Sequence, residues 1–349
     1  GLTPLRAAPG AYLPMETSNR MKKTFLAVLC AAAMIPASVA PAMATPNPAR
    51  HLPQGFDLQA HRGGKAETTE SSLAAYEHAL TLGVTTLELD ISLSKDGKPM
   101  IWHDMTIQKK KCRDTAPAFP NDPAYPYVGK FITELTFQQL RTVRCDKFQE
   151  EYKDTLHRVP GATIYTLDEL FTMVSKKANY PVYFNIETKV VPVKESDAKA
   201  YRTMKTIVDT ARRHKVLNRV MLQSFDWRTL AMVRKYAPSV PTVMLFGRIH
   251  WVPFTPMSGP VNYLEVGGDI IKAAKQLDAQ VLSPDYGSAD NLYANAAFCA
   301  RAHKAGLKVV PYTVDSEEAM RNQMKAGVDG IITNYPSRGM TVAREMKKL

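Results

Sequence analysis

The chain has 349 residues, of which 45% are hydrophobic and 22% are charged, and its formal net charge is +12. This composition is that of a globular protein and excludes a disordered or low-complexity chain. The basic excess suits a phosphorylated substrate, a membrane surface, nucleic acid or simply solubility. However, the longest basic run is Lys109-Lys110-Lys111 without interleaved aromatic residues, so we expect no nucleic-acid binding.

The first 44 residues show, in order, the features of a secretory signal peptide. These are the positive segment Met21-Lys22-Lys23, the short apolar run 25–33 and the small-x-small cleavage site Ala42-Met43-Ala44. We interpret residues 21–44 as a signal peptide rather than a buried helix, and residues 1–20 as an upstream leader or expression-vector remnant. No stretch is apolar over the length of a membrane span. We therefore expect an exported protein, periplasmic or secreted, with residues 45–349 as one domain.

Beyond residue 56, short apolar runs alternate with longer helical patterns. Strands are predicted at residues 57–60, 86–91, 182–187, 220–223, 242–246, 280–283, 308–313 and 330–333. Helices are predicted at residues 72–82, 198–214, 227–236, 268–277, 292–305 and 317–326. Eight strands with helical crossovers favour a (β/α)₈ TIM barrel. The alternative, an open doubly wound sheet, would carry a Gly-rich dinucleotide turn after the first strand, and none is present.

An irregular insertion is predicted after the second strand. Lys95-Asp96-Gly97-Lys98 is typical of a hairpin turn and leads into an extra strand at residues 99–103. The following residues, about 104–160, are Pro-rich and irregular apart from a helix at residues 136–144. Cys112 and Cys145 flank this stretch, and we expect them to form a disulfide that restrains a loop with little core of its own.

Polar residues cluster at the carboxyl ends of the first predicted strands, where the active sites of such barrels lie. These residues are His61 and Arg62, then Glu88 and Asp90, then His103, and finally Glu187 and Lys189. An isolated Glu-x-Asp would more often mark a solvated edge strand. Inside a barrel, however, three neighbouring carboxylates are costly to bury unless a cation neutralises them. We therefore expect Glu88, Asp90 and Glu187 to bind one divalent cation, Ca²⁺ or Mg²⁺.

The remaining polar residues at these strand ends suit acid–base chemistry on a phosphate. Imidazoles titrate near neutral pH, so His61 and His103 could act as general acid and general base. Arg62 and Lys189 supply positive charge suited to a phosphate that gains charge during reaction. Together with a hard cation, this set indicates phosphodiester hydrolysis.

Seven short segments, taken in order, resemble the glycerophosphodiester phosphodiesterase family. They are His61-Arg62-Gly63, residues 70–76, Leu87-Glu88-Leu89-Asp90, Ser94-Lys95-Asp96-Gly97, Trp102-His103-Asp104, Asn185-Ile186-Glu187-Thr188-Lys189 and residues 327–336. The resemblance runs from about Gln59 to Pro336 and is weakest in the insertion. The chain departs from the family where Thr69-Glu70-Ser71-Ser72 replaces Pro-Glu-Asn-Thr, and where Tyr312 replaces a frequent Trp.

The resemblance implies a metal-dependent enzyme that hydrolyses glycerophosphodiesters to glycerol 3-phosphate and an alcohol. It implies catalysis by His61 and His103, phosphate binding by Arg62 and Lys189, and a substrate or metal contact by Glu70. The neighbouring glycerol hydroxyl would attack phosphorus, one histidine acting as base and the other as acid, and water would open the cyclic product. The resemblance leaves the base, the headgroup and the oligomeric state open.

Two alternatives remain at this point. The same barrel could act on an intact lysophospholipid or sphingolipid in the manner of a phospholipase D, with aromatic residues such as Trp251 and Phe254 lining the alcohol side. It could also be an exported binding protein without catalysis, although the presence of both histidines and all three carboxylates argues against that.

Overall fold

The computed structural model describes residues 46–287 and 292–349, together with Pro36. Apart from Pro36, the predicted leader and signal peptide therefore lie outside the described residues. Residues Pro46–Leu349 group together as one compact unit. Among the described residues, none of the helices combines the length and the apolar character needed to cross a bilayer.

The predicted (β/α)₈ barrel is confirmed. The strands are β1 (Asp57–His61), β2 (Thr86–Leu93), β3 (Pro99–Ile101), β4 (Tyr165–Thr166), β5 (Tyr183–Thr188), β6 (Val220–Ser224), β7 (Thr242–Phe246), β8 (Val281–Pro284), β9 (Lys308–Val309) and β10 (Gly330–Thr333). Eight of them pair in parallel in the order β10-β1-β2-β5-β6-β7-β8-β9. Parallel bridges from Tyr312 to Asp285 and to Ile332 close the ring between β9 and β10.

Helices follow most strands and cover the outside of the barrel. They are α1 (Leu73–Leu82), α2 (Phe137–Thr142), α3 (Leu167–Lys177), α4 (Asp197–Arg213), α5 (Trp227–Tyr236), α6 (Ile270–Leu277), α7 (Ala296–Lys304), α8 (Glu317–Ala326) and α9 (Pro336–Glu345). The sequence prediction missed α3 and α9. α3 begins with a capping box, in which Thr166 Oγ1 accepts from the Glu169 N–H and the Glu169 carboxylate accepts from the Thr166 N–H; this is a recognised signal for a helix start.

Side-chain alternation along the strands separates the outer core from the interior of the barrel. On β2, Leu87, Leu89 and Ile91 belong to the large hydrophobic cluster shared with the surrounding helices, whereas Glu88 and Asp90 occupy the alternate positions. One side of the interior is apolar and contains Leu52, Met221, Val243, Val281, Val310 and Ile332.

The side formed by β1, β2 and β5 is polar. Asp57 accepts hydrogen bonds from Thr86 Oγ1 at 2.5 Å and from Gln59 Nε2 at 2.9 Å. Asn185 Nδ2 donates to Gln59 Oε1 at 2.8 Å. These hydrogen bonds link polar groups of β1, β2 and β5 below the predicted site.

The segment after β2 differs from the prediction in one respect. β2 and β3 form the expected antiparallel hairpin, and the turn residue Gly97 has a φ of +84°. Cys112 and Cys145 are joined by a disulfide. However, the insertion has a hydrophobic cluster of its own, built from Met100, Trp102, Ile107, Cys112, Tyr127, Ile132, Leu135, Leu140, Val143, Cys145 and Ile164. The expectation of little core was wrong because these apolar residues are dispersed along an irregular chain and show no periodicity.

Gly63 lets the chain turn tightly out of β1. Its φ is +83°, and a Cβ added there would lie 2.8 Å from the Ala75 Cβ. Replacing Gly63 with Ala is expected to lower the free energy of unfolding by on the order of 3 kcal/mol, because left-handed strain and steric overlap add together.

The matched control is Gly97→Ala, since Gly97 has nearly the same φ but no atom within 4 Å of the added Cβ. Gly97→Ala should lower the free energy of unfolding by only about 1–2 kcal/mol, because it adds backbone strain alone. Urea unfolding followed by circular dichroism compares the two variants, and equal losses would show that the contact with Ala75 is unimportant.

Candidate active site

A cavity of about 200 Å³ opens at the carboxyl ends of the barrel strands. Six polar residues from five strands or the loops that follow them line one part of it: His61, Arg62, Glu88, His103, Glu187 and Gln223. Five of these six residues were predicted from the sequence, and Gln223 was not. The cavity therefore lies where a (β/α)₈ barrel places its active site.

Glu88, Asp90 and Glu187 come together at the base of this site. Each offers one carboxylate oxygen that lies within 4.8 Å of the others, and all three side chains are buried. β2 and β5 pair in parallel with Asp90 opposite Glu187, which brings two of the carboxylates side by side. Both oxygens of Asp90 are buried without a hydrogen-bond partner. Because buried oxygens seldom lack partners, this donor set fits a divalent cation.

Burial makes two of the three carboxylates harder to ionise than usual, whereas at Asp90 the charges of Lys189 and His103 outweigh burial and lower the pKa. Burial, and then the charge of Asp90, raises the pKa of Glu88 well above its ordinary value. Burial also raises the pKa of Glu187 to about 7, against the opposing effect of Lys189. A protein without a cation must therefore pay for burying like charges or take up protons, whereas a hard divalent cation would neutralise them.

Glu88 is held from two directions. The backbone N–H of Arg62 donates to Glu88 Oε2 at 3.0 Å, and Gln223 Nε2 donates to Oε1 at 2.8 Å. Gln223 lies on β6 next to Glu187 in the strand register. Gln223 therefore orients the Glu88 carboxylate. The sequence signal that could have identified Gln223 is a polar residue at an inward-facing position of a strand.

His61 belongs to a hydrogen-bonded chain that fixes its tautomer. Asn334 Nδ2 donates to Asp315 Oδ2 at 2.9 Å, so Asn334 Oδ1 faces His61. His61 Nδ1 lies 2.6 Å from that oxygen and must donate to it, because an amide oxygen only accepts. The unprotonated Nε2 lies 3.8 Å from Glu88 Oε2. Burial, and then the charge of Arg62, lowers the pKa of His61 to about 3, so this imidazole is neutral at neutral pH.

His103 has a carboxylate partner instead of an amide. Its Nδ1 lies 3.0 Å from Asp104 Oδ1. Burial disfavours the ionised form of Asp104, but hydrogen bonds from His103 and Lys111 outweigh it and hold the pKa of Asp104 below its ordinary value. His103 Nδ1 therefore donates. Burial lowers the pKa of His103 itself, and the hydrogen bond to Asp104 opposes that shift. An adjacent carboxylate suits a histidine that must carry positive charge during part of a reaction.

The two predicted phosphate-binding cations are held by carboxylates. Arg62 Nη1 donates to Glu70 Oε2 at 2.8 Å. Lys189 Nζ lies 2.9 Å from Glu187 Oε2 and 3.8 Å from Asp90 Oδ1. Glu70 does not line the cavity; its carboxylate faces Arg62 and Lys111. The structure therefore places Glu70 behind Arg62 rather than against the space for a substrate.

Aromatic residues form part of the cavity wall. Phe225 and Tyr312 line the cavity, and their ring centroids are 5.9 Å apart. Of the aromatics expected there, Trp251 is buried in the outer core and Phe254 is exposed. A second cleft, of about 430 Å³, adjoins the cavity and shares His103, Glu187 and Phe225 with it.

Comparisons with known proteins place this geometry in a family. A model described as the glycerophosphoryl diester phosphodiesterase family matches residues 61–338. Two similar proteins, each named glycerophosphodiester phosphodiesterase, come from Bacillus altitudinis and Caldanaerobacter subterraneus subsp. tengcongensis. They are 25% and 26% identical to this chain over 82% of its length, and over 98% and 97% of their own. A lysophospholipase D of Mus musculus is 22% identical over 80% of this chain and 83% of its own length.

Solved structures show the same barrel. A phosphodiesterase from Oleispira antarctica, in complex with the product sn-glycerol-3-phosphate, has a TM-score of 0.61 and 19% identity, covering 83% of this chain and 97% of its own. A glycerophosphodiester phosphodiesterase from Thermotoga maritima has a TM-score of 0.55 and 20% identity, covering 83% and 98%. At these identities the likeness concerns the fold.

Proposed function

The chain belongs to the glycerophosphoryl diester phosphodiesterase family, and from that premise we propose that it hydrolyses glycerophosphodiesters to glycerol 3-phosphate and an alcohol with one bound Ca²⁺ or Mg²⁺. The observation that carries this proposal is the arrangement of one cavity. It is lined by two histidines, one paired with an amide oxygen and the other with a carboxylate, and by the guanidinium of Arg62. The cluster of three buried carboxylates lines or adjoins it.

The hydrogen-bond partners of His61 and His103 indicate which histidine is the base and which is the acid. His61 Nε2 is unprotonated because Nδ1 donates to Asn334, so His61 accepts the proton of the glycerol hydroxyl that attacks phosphorus. His103 gives a proton to the departing alcohol oxygen as the phosphorus–oxygen bond breaks, and Asp104 stabilises its charged form. Water then opens the cyclic phosphate, with the two histidines in reversed roles.

Two further groups act on the phosphate. Arg62 lines the cavity and binds the phosphate oxygens, which gain negative charge during attack. Glu88, Asp90 and Glu187 would hold the cation, which when bound neutralises charge and polarises the oxygens near it. The adjoining cleft lies on the His103 side and receives the alcohol.

An assay of the whole chain tests the proposal. With Ca²⁺ or Mg²⁺ present, we expect release of glycerol 3-phosphate from glycerophosphocholine or glycerophosphoethanolamine, detected with a coupled dehydrogenase. A chelator should abolish the release and added metal should restore it. No release from any glycerophosphodiester with either metal would refute the proposal.

The second candidate is a phospholipase-D-like activity on lysophospholipids or sphingolipids. It is supported by the size of the adjoining cleft, by the exposed Ile249 and Phe254 on the loop between β7 and α6, and by the similarity to the mouse lysophospholipase D. The same assay with lysophosphatidylcholine, measuring choline, separates the two candidates. A kcat/KM for the water-soluble diester above that for the lipid favours the first.

Export to the periplasm or the medium is part of the proposal. The Cys112–Cys145 disulfide supports it, since such bonds persist in oxidising compartments. Mass spectrometry of the exported protein should find an N-terminus at Thr45, and retention of residues 21–44 would contradict a cleaved signal peptide.

A further inference from the structure

Lys111 is a largely buried cation in the insertion that the proposed reaction does not use. Only 11% of its side chain is exposed, whereas its neighbours Lys109 and Lys110 are exposed. Its Nζ lies 2.8 Å from Asp104 Oδ2 and 3.1 Å from Glu70 Oε1. One ammonium group therefore joins two carboxylates from different parts of the chain.

Each of these carboxylates holds a residue of the candidate site by its other oxygen. Asp104 Oδ1 accepts from His103 Nδ1 at 3.0 Å, and Glu70 Oε2 accepts from Arg62 Nη1 at 2.8 Å. The continuous order of contacts is His103–Asp104–Lys111–Glu70–Arg62. Lys111 itself does not line the cavity, so it touches neither the space for a substrate nor the carboxylate cluster.

The surroundings of Lys111 restrict its position. Its Nζ lies 5.8 Å from the centroid of the Trp102 ring, within the range of a cation–π contact. The next residue, Cys112, is fully buried, is bonded to Cys145 and donates its N–H to the Gln108 carbonyl at 2.8 Å. The main chain at Lys111 is thus attached to the core of the insertion, and the side chain reaches from there to the site.

We propose that Lys111 is a positioning residue that sets the orientation of the acid–base residue His103 and of the phosphate-binding Arg62 together, through Asp104 and Glu70. The assignment of roles to His103 and Arg62 rests on the proposed function. Removing the ammonium group leaves two buried carboxylates without their common cation, and each is then free to turn away from its catalytic partner.

The test compares Lys111→Met with Lys110→Met in the full chain. Met preserves most of the apolar length of the side chain and removes the charge. For Lys111→Met we expect kcat to fall about 10- to 100-fold and KM for glycerophosphocholine to rise several-fold, because both branches lose their orientation. Lys110→Met should match the parent, and Lys111→Arg should recover most of the lost kcat because a guanidinium can pair with both carboxylates.

A double-mutant cycle distinguishes positioning from a general loss of stability. Asp104→Asn alone should lower kcat more than it changes KM, and Glu70→Gln alone should do the reverse. Adding Lys111→Met to either variant should cost much less than it does in the parent. Fully additive effects, or kcat and KM within twofold of the parent for folded Lys111→Met, would overturn the proposal.

Binding of inorganic phosphate supplies a measurement that needs no turnover. Isothermal titration calorimetry with Ca²⁺ present should show three- to tenfold weaker phosphate binding by Lys111→Met than by Lys110→Met. A parent that binds phosphate but hydrolyses no diester would refute the proposed function and leave this comparison valid. Equal phosphate affinity of the two variants would overturn the positioning role of Lys111 toward Arg62.

Discussion

Replacing His61 with Gln is expected to lower kcat for glycerophosphodiester hydrolysis on the order of 10³-fold, within the range lost when a general base is removed. Gln can still donate an amide N–H toward Asn334, so the polar chain through Asp315 retains a partner. It cannot accept a proton from the attacking hydroxyl. Steady-state kinetics at saturating metal measure the change, and thermal unfolding checks that the barrel remains intact.

His78→Gln is the matched control. His78 lies on α1, has 42% of its side chain exposed and lies 3.8 Å from Glu67 rather than in the cavity. It should leave kcat and KM unchanged. If His61→Gln lowered kcat less than tenfold, His61 would not be the base, and the proton would have to pass to another group.

Replacing Asp90 with Asn should weaken Ca²⁺ or Mg²⁺ binding by at least about 10²-fold and remove most turnover at ordinary metal concentrations. Both oxygens of Asp90 are buried without a hydrogen-bond partner, which leaves them available to a divalent cation. In a chelator, the variant should be less stable than the parent, because burial opposes the charge of Asp90 but the charges of Lys189 and His103 outweigh it and lower the pKa of Asp90.

Thermal unfolding with and without Ca²⁺ therefore compares how far the cation stabilises the parent and the Asp90→Asn variant. Metal at 100 times its Kd should stabilise the parent by about 2.7 kcal/mol and the Asp90→Asn variant hardly at all. Calorimetric titration gives the affinities directly. Equal stabilisation of parent and variant would mean that the cation, if bound, lies outside the Glu88, Asp90 and Glu187 cluster.

Much of the barrel could be predicted because its signals are local. Strand alternation on Leu87, Glu88, Leu89 and Asp90 separates the outer core from the interior within four residues. The two histidines and three carboxylates all lie on strands or within two residues of one. The missed helix α3 follows a two-residue strand just after the irregular region, and so short a strand gives no periodic pattern to mark the start of a helix.

The partners of the site residues could not be predicted because they come from distant positions. Asn334 reaches His61 across 273 residues, and Gln223 reaches Glu88 across 135. The contact of Lys111 with Glu70 depends on the path of an insertion whose core has no periodicity. These contacts decide tautomers and orientations, so the sequence could name the histidines but leave open which one is the base.

The shortest strand of the ring lies where the ring closes. β9 has two residues, whereas the other strands of the ring have four to eight, and beyond β9 the bridges of Tyr312 to Asp285 and Ile332 continue the pairing. Tyr312 also forms part of the cavity wall. Ligand binding and ring closure therefore depend on the same residue and are thermodynamically linked. A molecule that packs against the Tyr312 ring selects the closed barrel over states in which the seam has opened.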